Sequence, residues 1–73
     1  MSNMLNLYTL PNCPSCVTTK AALEALGRPY NELELTNPDN LTLVKSWGFL
    51  AAPVVDNDGD RWSGFNPDKL AAL

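Results

Sequence analysis

Apolar and polar residues alternate in short runs along this chain, and each run ends at proline, glycine or asparagine. Leu5-Asn6-Leu7-Tyr8-Thr9 has the period-two pattern of a first strand. Pro11-Asn12-Cys13-Pro14 reads as a loop opening a helix, with Pro14 at a first helical position where its missing N–H costs nothing. That helix runs to about Leu26, with Val17, Ala21, Ala22, Leu23, Ala25 and Leu26 as its apolar surface. Gly27 then suits a left-handed cap, and Pro29 stops any continuation.

Tyr30 to Leu35 is expected as a second strand, with Leu33 and Leu35 alternating against a wet face of Glu32 and Glu34. Asn37-Pro38 caps a second helix that runs to about Trp47, with Leu41 and Val44 three apart and Gly48 after it. Pro53-Val54-Val55 forms a short buried strand. The Asn57-Asp58-Gly59 turn leads back through Arg61-Trp62 as a hairpin. Asn66-Pro67 caps a last helix ending at Leu73. The order β-α-β-α-β-β-α implies a right-handed parallel crossover followed by antiparallel strands. The expected fold class is α/β, a four-stranded mixed sheet flanked by three helices.

Seventy-three residues suffice for one domain, 1–73, and not for two cores. The hydrophobic fraction of 45% argues against disorder. No segment approaches the roughly 20 apolar residues of a membrane span. Met1-Ser2-Asn3-Met4 carries no basic residue and no apolar run, so a signal peptide is not expected and a cytoplasmic location is. The net charge is −3 and the five basic residues are scattered singly, unlike a phosphate-binding footprint, which disfavours nucleic acid. There is no histidine, hence neither the commonest general base nor the commonest metal ligand.

Cys13 and Cys16 stand three apart at a helix start directly after a strand. Residues at i and i+3 bring their Cβ atoms to roughly 5–6 Å, close enough for disulfide geometry after small adjustments. Free N–H groups and the helix dipole favour a thiolate at the first position, pulling a cysteine from about 8.5 towards neutrality. Cys13 is therefore the expected nucleophile, with Cys16, one turn in and more buried, resolving the mixed disulfide. A purely structural disulfide fits poorly, since closing four residues stabilises by only about 2 kcal/mol and a cytosolic chain would not keep it oxidised. Two cysteines without histidine cannot fill a structural zinc site in one chain. A C-x-x-C after a strand in a β-α-β setting points to redox chemistry.

Tyr8-Thr9 before Cys13-Pro14-Ser15-Cys16, then Ala52-Pro53-Val54-Val55, then Trp62-Ser63-Gly64-Phe65 with Asn66-Pro67-Asp68, resemble the glutaredoxin-like NrdH-redoxins of the thioredoxin-fold superfamily. The resemblance covers nearly the whole chain, and the Trp-Ser-Gly-Phe segment is its most specific part. It implies a thioredoxin fold and a thiol–disulfide oxidoreductase that donates hydrogen to class Ib ribonucleotide reductase. Thioredoxin reductase, rather than glutathione, would recharge it. It further implies that Pro53 is a cis-proline facing the dithiol. Pro14, Ser15, Ala52, Pro53, Trp62, Ser63, Gly64 and Phe65 would then bind substrate or partner. No cofactor beyond the Cys13–Cys16 disulfide is expected, NADPH acting only through the separate reductase, and the chain is expected to be a monomer.

Pro14 after the first cysteine and the short chain suggest an alternative, a glutathione-dependent dithiol glutaredoxin. A second alternative is a non-catalytic metal-binding module that uses the two thiolates, with a further chain. For Trp62, packing and partner contact are both open, since tryptophan fills cores and also anchors interfaces. Trp47 is read as a packed helix residue. Lys20, four residues after Cys16, is read as solvated with its stem along the helix, the other reading being a charge turned towards the site. Asp56, Asp58 and Asp60 are read as turn residues that need no calcium.

Overall fold

The computed structural model describes residues 4–73. The expectation about a leader at the chain start falls mainly on residues 1–3, outside the described residues. The seven elements follow the expected order: β1 (Leu5–Thr9), α1 (Pro14–Ala25), β2 (Tyr30–Glu34), α2 (Pro38–Ser46), β3 (Val54–Asn57), β4 (Asp60–Ser63) and α3 (Pro67–Ala71). The strands form one mixed sheet in the order β2-β1-β3-β4. β1 runs parallel to β2, while the β1–β3 and β3–β4 pairs are antiparallel. This is a thioredoxin fold. Among the described residues, no helix is long and apolar enough to cross a membrane.

Strand alternation divides the core into two. Leu5, Leu7, Val55 and Trp62 turn to one face, where Leu23 of α1 and Leu70 of α3 meet them. Tyr8, Leu35 and Val54 turn to the other face, under Val44 of α2, with Trp47 and Phe49 packed beside them. Trp47 caps α2 and sets its ring edge-on to Tyr8 at 5.8 Å, while the Arg61 guanidinium lies 4.1 Å from its centroid.

Local chemistry explains the helix starts. Each helix begins with proline at its first position, after Cys13, Asn37 and Asn66. The Asn37 side chain accepts from the Asp39 N–H at 2.9 Å, and that of Asn66 accepts from the Lys69 N–H at 3.1 Å. The β3–β4 hairpin turns on Asp58 and Gly59, with φ of 53° and 96°, the two positive values of a type I′ turn. The Asp56 carboxylate accepts the Gly59 N–H at 3.0 Å and pairs with Arg61, while Asp60 pairs with Lys69, so these carboxylates serve the hairpin and its flank.

The buried stripe of α1 differs from the expected one. Cys16, Thr19 and Leu23 face the sheet, while Val17 and Leu26 remain 62% and 55% exposed. A polar residue lies in this stripe because the Thr19 hydroxyl donates to the Ser15 carbonyl at 2.8 Å and leaves no unsatisfied group.

Candidate active site

Strand directions gather one set of segments at a single end of the sheet. β1 ends at Thr9, opposite Glu34 at the end of β2. Tyr8 pairs with Val54 at the start of β3, and Val54 pairs with Ser63 at the end of β4. The loop into Cys13, the Ala51–Pro53 approach to β3 and the Ser63–Phe65 segment therefore emerge at the same end.

Leu10–Asn12 carries the chain from β1 into α1, with Asn12 at φ 56°, a left-handed conformation that asparagine tolerates. Cys13 is the N-cap residue, with φ −112° and ψ 103°. Its Sγ accepts the Cys16 N–H at 3.2 Å, and its carbonyl accepts the Val17 N–H at 3.1 Å. Sulfur here takes the place of the oxygen that caps most helices, at the positive end of the dipole. Cys13 and Cys16 form a disulfide, with Cα atoms 5.2 Å apart. Cys16 is 2% exposed, whereas Cys13 is half-buried and Pro14 and Ser15 are exposed. An outer sulfur is thus reachable and an inner one is covered.

The Ala52–Pro53 bond is cis. Pro53 is buried, and its carbonyl accepts the Gly64 N–H at 2.7 Å, with Gly64 at φ 81°. The Ser63 hydroxyl donates to the Ala51 carbonyl at 2.8 Å. These two bonds tie the segment after β4 to the loop before β3. Phe65 is 42% exposed beside them.

Trp62 takes a different position from its three neighbours. It is 5% exposed and packs among Leu5, Leu7, Leu23, Val55 and Leu70, because alternation along β4 turns residue 62 inward towards α1 and α3. The ring packs in the core, while Ser63 and Gly64 are half-buried and Phe65 is exposed.

A cleft of about 550 Å³ opens beside the dithiol, lined by Cys13, Cys16, Val17 and Lys20 of the α1 segment, Thr9 to Asn12, Glu32, Glu34 and Thr36. One Glu32 carboxylate oxygen accepts both the Thr9 hydroxyl at 2.9 Å and the Lys20 ammonium at 3.1 Å. The Thr9 hydrogen bond, and then Lys20, hold the Glu32 carboxyl below its usual range. Lys20 is therefore paired inside the cleft rather than freely solvated. Glu32 sits on the α1 side of the sheet with Thr9, since positions 30, 32 and 34 of β2 share that face. Sequence reasoning missed this pair. The parity of residue 32 with the inward-facing Tyr30 was the one available signal.

The arrangement can form and break one disulfide between a half-buried capping sulfur and a fully buried neighbour. Comparisons with known proteins agree with it. Residues 5–62 match the glutaredoxin family model. The chain is 37% identical over 73 residues to the glutaredoxin-like protein NrdH of Salmonella typhimurium, covering 94% of this chain and 86% of that one. Its identity to the NrdH of Lactococcus lactis subsp. cremoris is 35% over 71 residues, covering 96% and 99%. Among solved structures, the Escherichia coli NrdH-redoxin, described by its thioredoxin-like activity profile, superposes with a TM-score of 0.91 at 31% identity over 96% of this chain and 93% of that one. A glutaredoxin of Archaeoglobus fulgidus, at 22% identity and TM-score 0.79 over 100% and 86%, shares the fold.

Proposed function

This chain belongs to the glutaredoxin family, among its NrdH-like thiol–disulfide oxidoreductases, and from that premise we propose that it reduces protein disulfides by a dithiol mechanism, thioredoxin reductase recharging it and ribonucleotide reductase being its acceptor. The observation that carries the mechanism is the Cys13 sulfur at the helix cap, accepting the Cys16 N–H. In the reduced protein that N–H and the dipole stabilise the Cys13 thiolate, which attacks a substrate disulfide. A Cys13–substrate disulfide forms and the first substrate sulfur leaves as a thiolate. Cys16 then loses its proton and attacks Cys13 Sγ, expelling the second substrate thiolate and closing the Cys13–Cys16 disulfide. Two electrons have passed to the substrate. A reductase returns two electrons and the site takes up protons.

The cis Ala52–Pro53 bond and the Ser63–Phe65 segment emerge at the dithiol end of the sheet, where an extended substrate segment can pair with backbone groups. The choice of thioredoxin reductase rests on the Trp62-Ser63-Gly64-Phe65 resemblance and on the thioredoxin-like activity profile ascribed to the Escherichia coli relative. The choice of acceptor rests on the NrdH resemblance. The test is NADPH consumption with a model disulfide, comparing thioredoxin reductase with glutathione plus glutathione reductase. Turnover with thioredoxin reductase alone is the expected result. Turnover with glutathione alone keeps both cysteines in role and replaces the electron donor.

A further inference from the structure

Three charged side chains in the dithiol cleft have no part in the scheme above, and Cys16 has a difficulty that two of them address. Its sulfur must lose a proton during resolution although the residue is 2% exposed, and burial disfavours a thiolate. The chain has no histidine to take that proton. The Cys16 N–H already serves Cys13 Sγ, so the helix cap stabilises the other cysteine.

The charged groups facing the cleft are few. From α1 comes Lys20, and from β2 come Glu32 and Glu34. β1 contributes only the neutral Thr9, and the loop from Leu10 to Asn12 contributes no charge. Lys20 is the one cation among the described residues that line it. It follows Cys16 by four positions, so the two side chains share a helix face with Cβ atoms about 5–6 Å apart. Lys20 is only partly exposed, at 31%, and its ammonium is anchored 3.1 Å from Glu32. Glu32 is fixed in turn by the Thr9 hydroxyl at 2.9 Å.

We propose that Lys20 is the residue that makes Cys16 reactive in the resolving step, and that Glu32 is a positioning residue that holds Lys20 in the cleft and tempers its charge. The inference rests on the reading of Cys13 as attacking sulfur and Cys16 as resolving sulfur. In the step itself the Cys16 proton leaves to water and the thiolate forms beside the ammonium. Its electron pair makes the new bond to Cys13 Sγ as the Cys13–substrate bond breaks. An opposite charge within about 4–6 Å favours the charged form, and each pH unit in the thiol midpoint is a tenfold change in thiolate below it.

The two residues act in opposite directions, which separates this role from a structural one. In a Cys13→Ala background Cys16 is the sole thiol, and the ultraviolet absorbance of its thiolate can be followed against pH. Lys20→Met is expected to raise the midpoint, lowering the thiolate present at neutral pH by about three- to tenfold. Glu32→Gln, which keeps an acceptor for Thr9 but removes the charge, is expected to lower the midpoint. Lys20→Arg should restore the parental value. Circular dichroism checks each fold, and Glu32→Gln alone tests the proposal if Lys20→Met does not fold. Midpoints that stay at the parental value, or that move the same way in both variants, overturn it. Turnover of the two-cysteine protein with a reductase, measured alongside, tests the underlying mechanism separately.

Discussion

The two sulfurs of the site are chemically alike and differ in their surroundings. Cys13 is half-buried at a helix cap, while Cys16 is covered by the sheet and α1. Replacing them should therefore give two distinct failures. Cys13→Ser is expected to abolish turnover, because no other thiol can open the substrate disulfide. Parental rates in that variant would refute the mechanism. Cys16→Ser is expected to leave the first attack intact and to accumulate a covalent adduct with substrate, visible by mass under non-reducing conditions. The pairing of these residues and their place at a helix start are legible in sequence because the spacing, the preceding strand and Pro14 are all local. The Lys20–Glu32 pair was not legible, since it joins α1 to β2 across 12 positions and depends on how the helix lies on the sheet. Trp62 illustrates the converse. Packing and partner contact are both open for it in the sequence, and strand alternation places the ring inside.

Helix and strand starts follow from proline, asparagine and glycine, which act through their own backbone, and so element order was readable almost to the residue. Which face of an element is buried depends on its neighbours. In α1 the apolar residues Val17 and Leu26 point outward, whereas Thr19 points inward because Ser15 satisfies its hydroxyl. The energetic consequence can be measured. Leu23 is fully buried against Leu5, Leu7 and Leu70, so Leu23→Ala is expected to cost about 2–5 kcal/mol. Val17→Ala, on the exposed side of the same helix, is expected to stay within about 0.5 kcal/mol. Urea unfolding of the oxidised protein checks both, and similar losses for the two would show that α1 sits differently on the sheet.

Stability of the whole molecule integrates its titrating groups, and here few remain. In the oxidised protein the cysteines are joined and there is no histidine, so no side chain has an ordinary pKa between the carboxylates and the tyrosines. The acid limb has an identifiable source. Glu32 lies below its usual 4.5 because Thr9 and Lys20 hydrogen-bond its carboxylate. As pH falls the unfolded chain takes up the proton first, so this contribution is present above about 4.5 and is lost as pH falls through the folded value. The alkaline limb has the opposite sign. Tyr8 and Tyr30 are both pushed above 10.0, chiefly by burial, with Asp56 adding to the shift at Tyr8 and Glu24 at Tyr30. Their contribution is complete below 10.0 and is lost as pH rises through the folded values. Thermal unfolding of the oxidised form should therefore be flat from about pH 6 to about pH 9 and fall on either side. Glu32→Gln should flatten the acid limb, and Tyr30→Phe the alkaline one. A step in melting temperature inside the flat range would contradict this account, because neither Glu32 nor the two tyrosines supplies one there. The same experiment on the reduced protein should add one feature. A Cys13 thiolate stabilised at the helix cap makes the reduced form gain stability as pH rises from its folded midpoint towards about 8.5, where the unfolded thiol ionises. Parallel curves for the two redox forms would mean that the cap does not favour the thiolate, and the first attack would then need another source of activation.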